Sequence, residues 1–135
     1  MAAKLAAVLL ALEGIGIIGL AVWEAIALVS GDNVSIVSAV ALIVLTAAGA
    51  ALVVAFAVAV WRGQSWGRSG GIVTQLLILA VALGAATGIY GDGATALVIA
   101  VPALITLVLL VVAVRDAGRR ESREGGGPDA PPSAG

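Results

Sequence analysis

The chain contains no cysteine and no histidine, one methionine (Met1), and little charge: 11% of its 135 residues are Asp, Glu, Lys or Arg. Without cysteine, thiol–disulfide chemistry is excluded. With neither histidine nor an internal methionine, haem ligation and histidine-based metal sites have no ligands. Histidine-dependent acid–base and nucleophilic catalysis is excluded on the same ground. The glycine-rich stretches lack the spacing and the lysine of a phosphate-cradling P-loop. The few bases are interleaved with acids and give no nucleic-acid-binding run. The sequence reads as non-enzymatic, with no cofactor, no metal and no nucleic-acid partner.

What is present is apolar: 61% of residues are hydrophobic and the mean hydropathy is +1.17. A soluble domain is nearer half apolar and a quarter charged, so the composition is that of a membrane protein. Window hydropathy places four segments at about 5–29, 34–61, 72–90 and 94–114. Backbone crossing lipid must satisfy its own hydrogen bonds, so each segment is expected to be α-helical. The first is longer than the apolar core of a signal peptide and carries acids, which predicts a retained helix. Short connections force sequential antiparallel neighbours, so residues 1–114 are expected to form an up-down-up-down four-transmembrane-helix bundle. Residues 115–135 are expected to be a charged, then Gly/Pro-rich, disordered tail.

All seven bases (Lys4, Arg62, Arg68, Arg115, Arg119, Arg120 and Arg123) fall at one face if there are four crossings. The opposite turns, Gly31-Asp32-Asn33 and Gly91-Asp92-Gly93, carry acids and no base. The positive-inside rule then predicts a multi-pass protein of the cytoplasmic (inner) membrane with both termini in the cytoplasm. Trp61 and Trp66 would mark the inner interface, and Trp23 and Tyr90 the outer one. Arg115, Arg119, Arg120 and Arg123 form a juxtamembrane cluster expected to meet anionic lipid headgroups.

Glu13 is the residue least at ease in this scheme. At 1.5 Å per residue it lies about 12 Å beyond Leu5, near the midplane of the hydrocarbon. An acid at that depth costs about 3 kcal/mol even on lenient insertion scales, so it calls for a partner, a proton or a water-filled cavity. Glu13, Gly16, Leu20 and Glu24 share one helix face, and Gly14, Gly16 and Gly19 offer a small-residue surface for close packing. Glu24, beside Trp23, is expected to be a solvated interfacial acid. Gln75, with Thr74, lies at a depth slightly shallower than Glu13 and could bond it across the bundle. Such a pair would be structural, or would line a small polar pocket for proton or substrate coupling.

Ala80, Gly84 and Gly88 make a small-xxx-small series that predicts a packing face inside the bundle or between protomers. Pro102 removes one backbone bond and predicts a kink in the fourth helix. The loop WRGQSWGRSGG reads as a turn of about ten residues at the basic face. An offset of 60 residues aligns Gly31-Asp32 with Gly91-Asp92, Ser35 with Thr95 and Thr46 with Thr106, the pattern two parallel hairpins would leave.

The run WRGQSWGRSGGIVTQLLIL, with Val73-Thr74-Gln75-Leu76 opening a helix after a Trp/Arg loop, resembles small four-helix membrane proteins of high-GC actinobacteria. That resemblance implies a topology and a lineage, and no activity. A second likeness, on Glu13 alone, is to small multidrug resistance transporters, whose first helix carries an essential glutamate. It implies a proton-coupling role for Glu13, although the aromatic residues that family places near its glutamate are missing here.

Two functions follow as expectations. The first is an accessory or structural membrane protein that associates through Gly/Ala helix faces, as a homo-oligomer or within a larger membrane complex. The second is a proton-coupled exporter of cationic or lipophilic substrates, with Glu13 as its switch and Gln75 as a second contact.

Overall fold

A computed structural model describes residues 1–31, 35–89 and 91–125. Within them the chain forms four helices: α1 (Ala2–Val29), α2 (Ile36–Trp61), α3 (Ser65–Thr87) and α4 (Gly93–Gly125). Each is long and apolar enough to cross a membrane, and no strand occurs among the described residues. The protein is an all-α, four-helix membrane bundle. The Asp32-Asn33 turn, Tyr90 and residues 126–135, the Gly/Pro-rich end of the expected tail, lie outside the described residues.

The helices form a ring in which α1 packs on α2 and α4, and α3 packs on α2 and α4. Helices α1 and α3 therefore face each other across the diagonal. All seven bases fall at one end of the bundle, where α1 begins, α2 turns into α3, and α4 leaves. Leu12, Ile15, Leu45 and Leu77 are more than half exposed on its outer surface. Such a girdle suits a bilayer and would be an aggregation patch in water.

Two boundaries differ from the sequence expectation. Helix α3 starts at Ser65, not near residue 72, so the basic-end turn is only Arg62-Gly63-Gln64. Gly63 adopts φ +76°, its N–H donates to the Val60 carbonyl, and the Gln64 N–H donates to the Ala59 carbonyl at 2.9 Å. This Schellman closure reverses the chain at once, which only a residue tolerant of positive φ permits. Helix α4 runs past Val114 to Gly125, so residues 115–125 are helical and not a disordered tail. Its charged residues are good helix formers, and a helix already nucleated in the bundle extends easily.

The core lies toward the basic end. Ala6, Ala7 and Leu10 of α1 pack with Val53, Ala57 and Val60 of α2 and with Leu110 of α4. The glycines that bring the helices together there belong to the stretch read as loop. A Cβ on Gly67 would collide with the Ala59 methyl and lie 2.8 Å from the Val60 nitrogen; one on Gly70 would enter the Phe56 ring. Phe56 in turn packs edge-on to Trp66, with ring centres 5.8 Å apart. Toward the other end the packing opens: α1 has no buried residue after Gly14, and α2 none before Ala50.

Candidate functional site

Glu13 is half-buried on the inward side of α1, one residue before Gly14, which seats α1 against α2: a Cβ there would lie 2.8 Å from Val54 Cγ2. From this position the carboxyl reaches two other helices. Gln75 of α3 donates from Nε2 to Glu13 Oε2 at 2.6 Å, crossing the diagonal of the bundle. Thr106 of α4 donates from its hydroxyl to Glu13 Oε1 at 3.0 Å. Gln75 and Thr106 are both 0% exposed. One acid thus ties together three helices deep in the apolar layer.

The proton inventory of this cluster is tight. Thr106 has a single hydroxyl hydrogen but lies 2.9 Å from the Pro102 carbonyl as well as 3.0 Å from Glu13 Oε1. Gln75 Oε1 is buried and has no hydrogen-bond partner among the described residues. It is thus an acceptor beside the acid that no donor among the described residues serves.

Glu24 does not join this group. It is half-buried between α1 and α2, where Thr46 donates to its Oε1 at 3.2 Å, while its Oε2 is buried and unpartnered among the described residues. It thus bridges α1 and α2 with one oxygen covered, while the half-buried side chain still borders a cavity at that end of the bundle. A cavity of about 600 Å³ is lined by Glu24 itself together with Trp23, Ser35, Ser38 and Leu42. Thr46 and Thr106, matched by the 60-residue offset, each donate to an acid of α1.

Thr106 is the member of the site that sequence reading passed over. It appeared only as a repeat match, although it is the one polar residue between Pro102 and Arg115 in an otherwise apolar stretch. Thr74, expected to assist Gln75, spends its hydroxyl on the Gly70 carbonyl of its own helix at 3.0 Å. Pro102 sits inside α4 without ending it, and its carbonyl anchors Thr106.

Of the expected packing residues, only Gly14 packs on another helix of the chain. A Cβ on Gly16, Gly19 or Gly84 would meet nothing within 4 Å. Leu20 is 52% exposed and Ala80 is exposed. Gly88 caps α3, and a Cβ there would approach only the Gly84 carbonyl of the same helix. On α1 these positions lie where the packing has opened, and on α3 they point away from the side on which Ala82 is buried.

Five cavities along the bundle are lined by residues other than Glu13, Gln75 and Thr106. No group of three metal-ligating side chains occurs among the described residues. Comparison with protein-family models, with curated proteins and with solved structures finds no match.

Proposed function

We propose that this chain is a non-enzymatic accessory or structural protein of the cytoplasmic membrane, with its basic end in the cytoplasm. In this reading Glu13 is a fastening that sets the register of α1, α3 and α4. The observation that carries it is the engagement of both Glu13 oxygens by two fully buried side chains. The outward faces carrying Gly16, Gly19 and Gly84 are then free to receive helices of a second copy or of a larger complex, since small residues allow close backbone approach in lipid.

The test is to replace Glu13 by Gln and recover the protein from native membranes after crosslinking. The expected result is an unchanged set of crosslinked species, because an amide of the same shape keeps the fastening. Loss of that set would overturn the reading.

The exporter reading has one observation in its favour, the unpartnered Gln75 Oε1 beside the acid. It requires proton release from proteoliposomes on adding a lipophilic cation such as ethidium, and its abolition in Glu13→Gln. The structural reading requires that neither protein releases protons.

A further inference from the structure

The basic end of the bundle is concave. Where α1 begins, α2 turns into α3 and α4 leaves, a cavity of about 340 Å³ is lined by Lys4, Trp61, Arg68, Asp116 and Arg120, with Gly63 and Ala113 at its walls. Its three bases come from three different helices, so their convergence is a product of the fold and not of a local basic run. They face one acid. Neither the three bases nor Asp116 is in a salt bridge among the described residues.

Two of the bases are held in place. The Arg68 Nη1 donates to the Gly63 carbonyl at 3.0 Å, which uses one of the five guanidinium N–H groups and leaves a fork available. The Lys4 ammonium lies 5.7 Å from the centre of the Trp61 ring. The cavity is also level with the edge of the apolar layer: Lys4 immediately precedes Leu5, and Arg115 immediately follows the run ending at Val114. In a bilayer a headgroup phosphate would lie at that level, with its acyl chains free to run along the apolar flank of the bundle. Arg115, Arg119 and Arg123, by contrast, are outside this cavity and add only general attraction to an anionic surface.

We propose that this cavity is a binding site for an anionic phosphate ester, presented by the headgroup of an acidic phospholipid and gripped by Lys4, Arg68 and Arg120. The site is independent of the role assigned to Glu13, and failure of one leaves the other standing.

The experiment compares the full chain in phosphatidylcholine nanodiscs with and without a minor fraction of phosphatidylglycerol, reading retained lipid by native mass spectrometry. Wild type should retain phosphatidylglycerol preferentially. Each of Lys4→Gln, Arg68→Gln and Arg120→Gln should weaken retention by about fivefold. The triple variant Arg115→Gln/Arg119→Gln/Arg123→Gln should lose less than any one of them, and Asp116→Asn should tighten retention. That last variant removes no base, so a gain cannot arise from misfolding. Inorganic phosphate added to the phosphatidylcholine discs should not raise the melting temperature; a rise there, with no lipid preference, would overturn the lipid assignment. Equal losses from the cavity bases and from Arg115, Arg119 and Arg123 would overturn the site.

Discussion

The Glu13 carboxyl and the Gln75 amide meet at 2.6 Å across the diagonal of the bundle, although 62 residues separate them in the chain. Neither helix packs broadly on the other, so two long polar side chains span a distance that α1 and α3 do not close by themselves. Thr106 completes the arrangement from α4. In lipid, where apolar side chains gain nothing by leaving their solvent, such bonds help decide which helices face one another.

Removing the acid should therefore be worse than neutralising it. Glu13→Ala leaves Gln75 Nε2 without its partner and a gap in the bundle, at an expected cost of about 1–3 kcal/mol. Glu13→Gln keeps a group that can accept from Gln75 and donate to Thr106, and is expected to cost less than half as much. Reversible unfolding in mixed micelles checks both values. Equal losses for the two variants would show that the charge and not the bonding pattern matters.

The glycines should divide into two classes. Gly67→Ala places a methyl against the Ala59 side chain and the α2 backbone, neither of which can rotate away, and is expected to destabilise by about 1–3 kcal/mol. Gly16→Ala and Gly84→Ala meet open space and are expected to leave the stability of the isolated chain unchanged or slightly improved, since alanine is the better helix former. The same two substitutions made to Ile should reduce crosslinking to partner helices without lowering the melting temperature.

Asp92 supplies a pH-dependent contribution. Its carboxylate caps α4, accepting the Thr95 hydroxyl and the Ala94 and Thr95 N–H groups at 3.1 Å each. The Thr95 hydroxyl first, and then the two N–H groups, hold its pKa below the ordinary value of 3.8. A depressed carboxylate pKa stabilises the fold fully above the unfolded value, and that support is lost as the pH falls through the lower, folded one. Titration of the Ala94 and Thr95 amide shifts by NMR should show an inflection below 3.8, absent in Asp92→Asn. An inflection above that value would contradict the cap.

The threading makes its own prediction. Because the chain lacks cysteine, single cysteines can be introduced without background. Labels at Gln64 and Ser122 should react from the same side of the membrane, and a label at Ser35 from the other. Reaction of Gln64 and Ser122 from opposite sides would rule out four crossings.

The fold was largely legible from the sequence, because hydropathy runs and the placement of seven bases report directly on crossing a bilayer. The start of α3 was not. Ser65 to Gly71 contain three glycines and an arginine, which lower any hydropathy window, yet Gly67 and Gly70 are where α3 presses closest on α2. Glycine carries opposite meanings in a turn and at a helix contact, and only the position of the partner distinguishes them. The site was half legible. An acid at midplane and a glutamine at similar depth suggested each other, but Thr106 could not be assigned to Glu13 without knowing that α4 borders α1. The small residues Gly16, Gly19 and Gly84 suggested packing, yet a Cβ on any of them would meet nothing within 4 Å, because composition does not tell which side of a helix its neighbours take.

The most direct measurement is a double-mutant cycle on Glu13 and Gln75 in a lipid environment, with Glu13→Ala, Gln75→Ala and the double variant unfolded under one set of conditions. The bond across the diagonal predicts a coupling of about 1 kcal/mol, with the double variant less damaged than the sum of the singles. Strictly additive losses would mean that the two side chains do not hold each other, and the fastening of α1 to α3 would be refuted.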